Sequence, residues 1–180
     1  KQKGTDEMIE FIKDRVSRTE EYKIKNKFKR AFKAYDGYID SNHEHLLLEA
    51  IKASKKEIKK KEFNTLRDIY ESTLLALITF GVIPEEMKNT HGNPVMTICT
   101  EFIQGRTRGV TFKNETFFLK HNIPKNIQNV MTKIITATND LSHLSDSENY
   151  KIRYMANLYC ILELLEWIPG FLDENFNHLN

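Results

Sequence analysis

Asn139 and His143 stand one helical turn apart, in a stretch whose apolar residues recur at three- and four-residue steps. Their side chains therefore share one helix face. An imidazole there can take or give a proton near neutral pH, and a neighbouring amide can orient a ribose, a phosphate or the imidazole itself. Gln128, Thr132 and Thr136 continue the same stripe, polar yet uncharged in a chain rich in lysine. Arg67 stands one turn before Glu71, and Arg153 ten residues beyond His143. The competing reading is structural: Arg67, Glu71, Asn139 and His143 as a hydrogen-bonded network between helices.

Other chemistry is sparse. His43, His45 and Glu49 are close in sequence, but no further histidine or cysteine lies at structural-site spacing, so they read as a helix-start surface. No metal site and no cofactor are expected, because the chain has no phosphate-cradling glycine loop, nucleophile elbow or zinc motif. Lys52, Lys56 and Lys59, within a run that also holds Lys55 and Lys60, are candidate phosphate contacts for RNA. Arg106 and Arg108 read as a basic loop. Cys99 and Cys160 are isolated and suit buried thiols in a reducing compartment, which points to the cytoplasm.

Elements that must position these residues follow from periodicity. Thr5 to about Tyr35 reads as charged helix, broken at Asp36-Gly37, and His45–Lys61 as another. Glu62–Phe80 has a broad apolar face, with Gly81 placed for a left-handed cap. Asn93-Pro94 opens a shorter helix to about Gln104. Residues 109–119 alternate loosely around Lys113-Asn114, as a small β-hairpin or an irregular excursion would. From Ile123 to Pro169 two long helices are expected, joined by a turn in which Ser145 and Glu148 have capping-box spacing. In the second, Ile152, Met155, Leu158, Tyr159, Leu162, Leu165 and Ile168 form one face, and Tyr154, Cys160, Ile161, Leu164 and Trp167 fill most of the rest. A helix apolar nearly all round is expected to be buried on several sides.

The fold class is therefore all-α, a helical bundle whose one excursion, at about 109–119, is a small β-hairpin or an irregular segment. Seven glycines and four prolines in 180 residues favour long helices over a turn-rich β fold. Residues 1–67 hold 18 Lys and Arg against 12 Asp and Glu, net +6, and residues 68–180 are net −4. The division expected is a basic helical extension over 1–61 and a bundle domain over 62–180. No apolar run approaches the roughly 20 residues of a membrane span, so no membrane partner is expected. The chain begins at Lys1 and reads as part of a longer protein.

A helical bundle with an N-x3-H turn on a long helix, then a short turn and an apolar helix, resembles the HEPN superfamily. The stretch FNTLRDIYESTLLALITFGVIP from Phe63 to Pro84, followed by TNDLSH from Thr138 to His143, is also similar to carboxy-terminal domains of uncharacterised bacterial proteins, some tied to abortive infection. The likeness covers about Glu62 to Pro169. Active members carry an arginine, then a polar residue, then histidine after four to six intervening residues, and cleave RNA without metal. Asn139 and His143 match the last two, but Thr138, Ala137 and Thr136 occupy the arginine spacings. A missing cation at the developing negative charge costs on the order of several kcal/mol of transition-state stabilisation. The resemblance implies a non-catalytic interaction or oligomerisation domain of a larger bacterial protein, a homodimer, with a role in phage defence. The alternative it implies is a metal-independent ribonuclease using His143 and Asn139 with Arg67 or Arg153 supplied across helices.

Overall fold

The computed structural model describes residues 8, 11–12, 15–16, 19–105, 109–140 and 150–176. Among them run α1 (Glu20–Lys27), α2 (Lys29–Phe32), α3 (Glu44–Ala53), α4 (Glu62–Thr79), α5 (Met96–Ile103), α6 (Lys125–Asp140) and α7 (Tyr150–Phe176). The fold is all-α, and the one sheet among the described residues is a two-stranded hairpin of β1 (Val110–Phe112) and β2 (Glu115–Phe117). One apolar core runs from Ile24 through Leu66, Leu77, Met131 and Ile161 to Leu172, so the basic amino-terminal helices contribute to the same interior as the later ones.

α7 lies at the centre. It packs along α6 and also touches α2 and α4. Tyr154 donates to the Ala50 carbonyl at 2.9 Å, and its ring meets Phe63 edge-on at 5.3 Å. Lys151 donates to the carbonyls of Ser54 and Lys56, closing the exit from α3. By length and composition α7 is the one described helix able to cross a membrane, contrary to the expectation that no apolar run comes close. Within the fold 56% of its apolar window is buried, as befits a core helix.

Three features of α3 and α7 differ from expectation. α3 stops at Ala53 instead of reaching Lys61. Continuing it would stack Lys52 on Lys56 and Lys56 on Lys60 at one-turn spacing, which is repulsive, whereas the turn lets Ile58 reach the core at 5% exposure. α7 runs through Pro169 to Phe176. Proline removes the backbone donor to residue 165 and normally ends a helix, but tertiary anchors hold the extra turns. Trp167 stacks on Phe171 at 4.4 Å, Tyr38 donates to Asp173 at 2.6 Å, and Phe176 packs against Phe80. Finally, Ile152 and Tyr159, placed by periodicity on the main apolar face of α7, remain 70% and 60% exposed. The buried face instead carries Tyr154, Asn157, Leu158, Ile161, Leu164, Leu165 and Ile168.

Helix and hairpin ends follow local chemistry. Gly81 adopts φ +73, its N–H bonds to Ile78 and that of Val82 to Leu77, the paired cap that a left-handed glycine permits. Lys113 and Asn114 both take positive φ, giving the two-residue turn whose twist suits a hairpin. Lys113 then reaches back to the carbonyls of Glu86 and Lys88, at 3.0 and 2.9 Å, and fixes the hairpin to the body. Ser145 and Glu148 lie outside the described residues, as do Arg106 and Arg108.

Cys99 on α5 is fully buried. Burial pushes its thiol from the usual 9.0 up to about 12, since the thiolate is the form that loses solvation. Raising the folded-state value above the unfolded one contributes stability that is whole below about pH 9 and lost as pH climbs toward about 12. Urea denaturation should show wild type losing stability relative to Cys99→Ala across that window, by at most about 1.4 kcal/mol per pH unit, with a constant difference between pH 6 and 8.

Candidate functional site

The polar stripe of α6 is split by its neighbours. Its first half is tied into the structure. Gln104, at the end of α5, donates to Thr132 at 2.8 Å, Thr132 donates to the Gln128 carbonyl, and Gln128 donates to the Ile123 carbonyl. Gln104 did not stand out in the sequence; its one signal was an uncharged polar residue following the apolar pair Phe102-Ile103 at the end of the helix.

The second half of the stripe faces two separate clefts. One, of about 420 Å³, lies between α4, the 89–97 segment and α6. Arg67, Glu71 and Asn139 line it together with Asn89, Asn93 and Ile135. Residues far apart in sequence thus meet at one surface because α4 packs against α6. Among the described residues neither Arg67 nor Glu71 takes part in an ion pair, although the two stand one turn apart on α4. An adjoining hollow of about 270 Å³ shares Glu71 and Asn93 and adds His43, Asp68 and Ser72. His43 Nδ1 is buried there with no partner among the described residues. His143 lies outside the described residues, so its place relative to Asn139 and Arg67 does not enter this geometry.

The other cleft, of about 430 Å³, opens between α6 and α7. Thr132, Thr136, Lys133 and Ala137 supply the α6 wall, Arg153, Ala156, Asn157 and Cys160 the α7 wall, and Phe63 of α4 one end. Arg153 therefore shares a surface with Thr132 and Thr136, and Arg67 shares one with Asn139. The two candidate arginines serve different clefts. Cys160 is half-buried; burial raises its thiol pKa, while the Lys133 ammonium works the other way.

Asn157 is a residue that the sequence alone did not single out. It is 3% exposed, and neither Oδ1 nor Nδ2 has a hydrogen-bond partner among the described residues. The signal was present: a lone carboxamide among Tyr154, Leu158 and Ile161 on a helix apolar nearly all round. An unmade hydrogen bond on a buried polar group costs about 1–3 kcal/mol, so the position is destabilising as it stands.

The basic run divides differently from expectation. Lys52 sits half-buried on α3, whereas Lys56 and Lys59 are exposed in the turn that follows, so the three do not share a helix face. Lys55 pairs with Glu20 at 2.7 Å, and its hydrogen bond lowers the Glu20 pKa. Among the described residues no group of three His, Cys, Asp or Glu side chains is arranged to hold a metal ion.

Comparison with protein-family models, with curated proteins and with solved structures gives no match.

Asn157→Leu keeps the volume roughly constant and removes both orphan atoms. It should raise the stability of the isolated protein by about 1–3 kcal/mol, read as a higher urea midpoint at unchanged slope; a lower midpoint would mean the carboxamide is satisfied in solution.

Proposed function

We propose that this chain is a non-catalytic helical interaction domain, acting within a larger cytoplasmic bacterial protein and pairing with a second copy of itself. The exposed face of α7 is the supporting observation. Ile152 and Tyr159, two turns apart on the helix that organises the core, present large apolar surface to solvent. Contiguous apolar surface of this kind marks an association site. Beside it runs a groove of about 560 Å³, floored by Ile24, Phe28, Ile51 and Met155 and edged by Lys23, Lys27 and the ion pair of Lys55 with Glu20. Further along the same α7 face stand the exposed acids Glu163 and Glu166. An apolar ridge with acids at one end and a basic groove alongside is self-complementary, which suits a two-fold interface. The HEPN-like pattern of the sequence is in keeping with this assignment, and its likeness to abortive-infection proteins points to phage defence.

A metal-independent ribonuclease is the second reading, favoured by one observation: Arg67 and Asn139 line a common cleft. In that scheme His143 would move the proton, Asn139 would orient the substrate and Arg67 would stabilise the developing charge.

Sedimentation equilibrium of the wild type should show a reversible dimer. Tyr159→Asp combined with Ile152→Asp should weaken it at least a hundredfold with helicity unchanged by circular dichroism. A wild type that stays monomeric at the highest accessible concentration would remove the interaction assignment.

RNA cleavage in EDTA separates the two readings. An interaction domain gives none, in the wild type or in any variant. Cleavage lost in both His143→Ala and Arg67→Ala, by about 10²–10³-fold as removal of such groups costs, would establish the ribonuclease.

A further inference from the structure

The cleft between α6 and α7 adjoins the exposed ridge at Ala156 and has a chemistry of its own. Its walls are mostly apolar, formed by Ala137, Ala156 and the Phe63 ring. Among the described residues no Asp or Glu lines it, while Lys133 and Arg153 stand at its solvent edge. Neither cation takes part in an ion pair among the described residues. Asn157, on its α7 wall, carries a buried carboxamide whose donor and acceptor are both unpaired among the described residues. A volume of about 430 Å³ falls within the range of small-molecule sites, which are typically concave, apolar and marked by a few convergent polar groups.

We propose that this cleft binds a small aromatic carboxylate carrying a hydroxyl at the end remote from the acid. The flat ring lies between the two helices against Ala137, Ala156 and Phe63. The carboxylate stays at the edge, where the planar guanidinium of Arg153 matches its two oxygens and Lys133 adds a second charge. The hydroxyl enters first. It both donates and accepts, so it answers the two unmade bonds of Asn157 at once. In the empty cleft the Asn157 amide atoms are closed to solvent, and binding turns the side chain by one rotamer step to face the ligand. An occupant of this kind accounts for a carboxamide held at an unfavourable position: the orphan is satisfied only in the complex.

The probe is 6-hydroxy-2-naphthoate, followed by its fluorescence anisotropy against the full chain. Saturable binding is expected. 2-Naphthoate, which lacks the hydroxyl, and 2-naphthol, which lacks the acid, should each bind at least tenfold more weakly. Arg153→Gln with Lys133→Gln should weaken the hydroxynaphthoate at least tenfold and leave 2-naphthol unchanged. Asn157→Leu should abolish the preference for hydroxynaphthoate over naphthoate. Ala156→Phe fills the cleft from its exposed side and should eliminate binding with the circular dichroism spectrum intact, which keeps the test decisive if Asn157→Leu misfolds. The proposal is overturned by absence of saturable binding, by binding that survives Ala156→Phe, by a hydroxyl preference indifferent to Asn157→Leu, or by displacement with inorganic phosphate alone.

Discussion

Burial of α7 is the constraint on which the rest of the structure depends. A 27-residue helix with apolar side chains around most of its circumference has to be covered on several sides at once. α2, α4 and α6 supply those sides. Fully burying a large apolar side chain contributes about 1.5–3 kcal/mol, and Leu158, Ile161, Leu164, Leu165 and Ile168 are all at 3% exposure or less. Polar tethers fix the register of that packing. Tyr154 reaches Ala50, Lys151 closes the end of α3, and Tyr38 holds Asp173. Because the amino-terminal helices cover one flank of α7, their charge is carried outward, and the basic groove beside Tyr159 is a consequence of how the core is closed.

α6 shows how one helix is divided between structure and surface. Ile127, Val130, Met131 and Ile134 are buried. The polar stripe alongside them is anchored at Thr132 by Gln104, and beyond that point it opens onto two clefts. Ile135 and Asn139 turn toward α4 and Arg67, while Thr136 and Ala137 turn toward α7 and Arg153. Two residues one position apart therefore belong to different surfaces. A single polar stripe in the sequence became two chemically distinct places, because the 100° step of a helix outpaces the width of either cleft.

Asn157 sets local stability against local chemistry. Native interiors rarely bury a carboxamide without hydrogen-bond partners, and each one that does calls for an explanation, such as stored strain, a functional role or a bound water or ion. Here it sits on a wall shared with Arg153, across from Lys133, and neither cation is in an ion pair among the described residues. Tyr70 makes the contrast. Its equally buried hydroxyl meets Thr100 at 2.6 Å, and Thr100 in turn bonds to Met96, so that polar pair is closed on itself.

The sequence by itself determined the all-α class, the span of α4, its glycine cap and the position of the hairpin turn. Each rests on short-range chemistry: three- and four-residue periodicity, the tolerance of glycine for positive φ, and the Lys113-Asn114 pair between short alternating runs. Asn139 and Arg67 were recognisable as polar residues at helical positions, but nothing local says that α4 and α6 are neighbours. Tertiary structure alone decided that Arg67 and Arg153 serve different clefts, that Ile152 and Tyr159 face solvent, and that α7 continues through Pro169. In each case the outcome depends on which helices arrive to cover a face. An apolar period specifies that a face is to be buried, whereas its extent is set by partners distant in sequence. Asn157 belongs to the same class: its type was visible, and its isolation exists only once the core has closed around it.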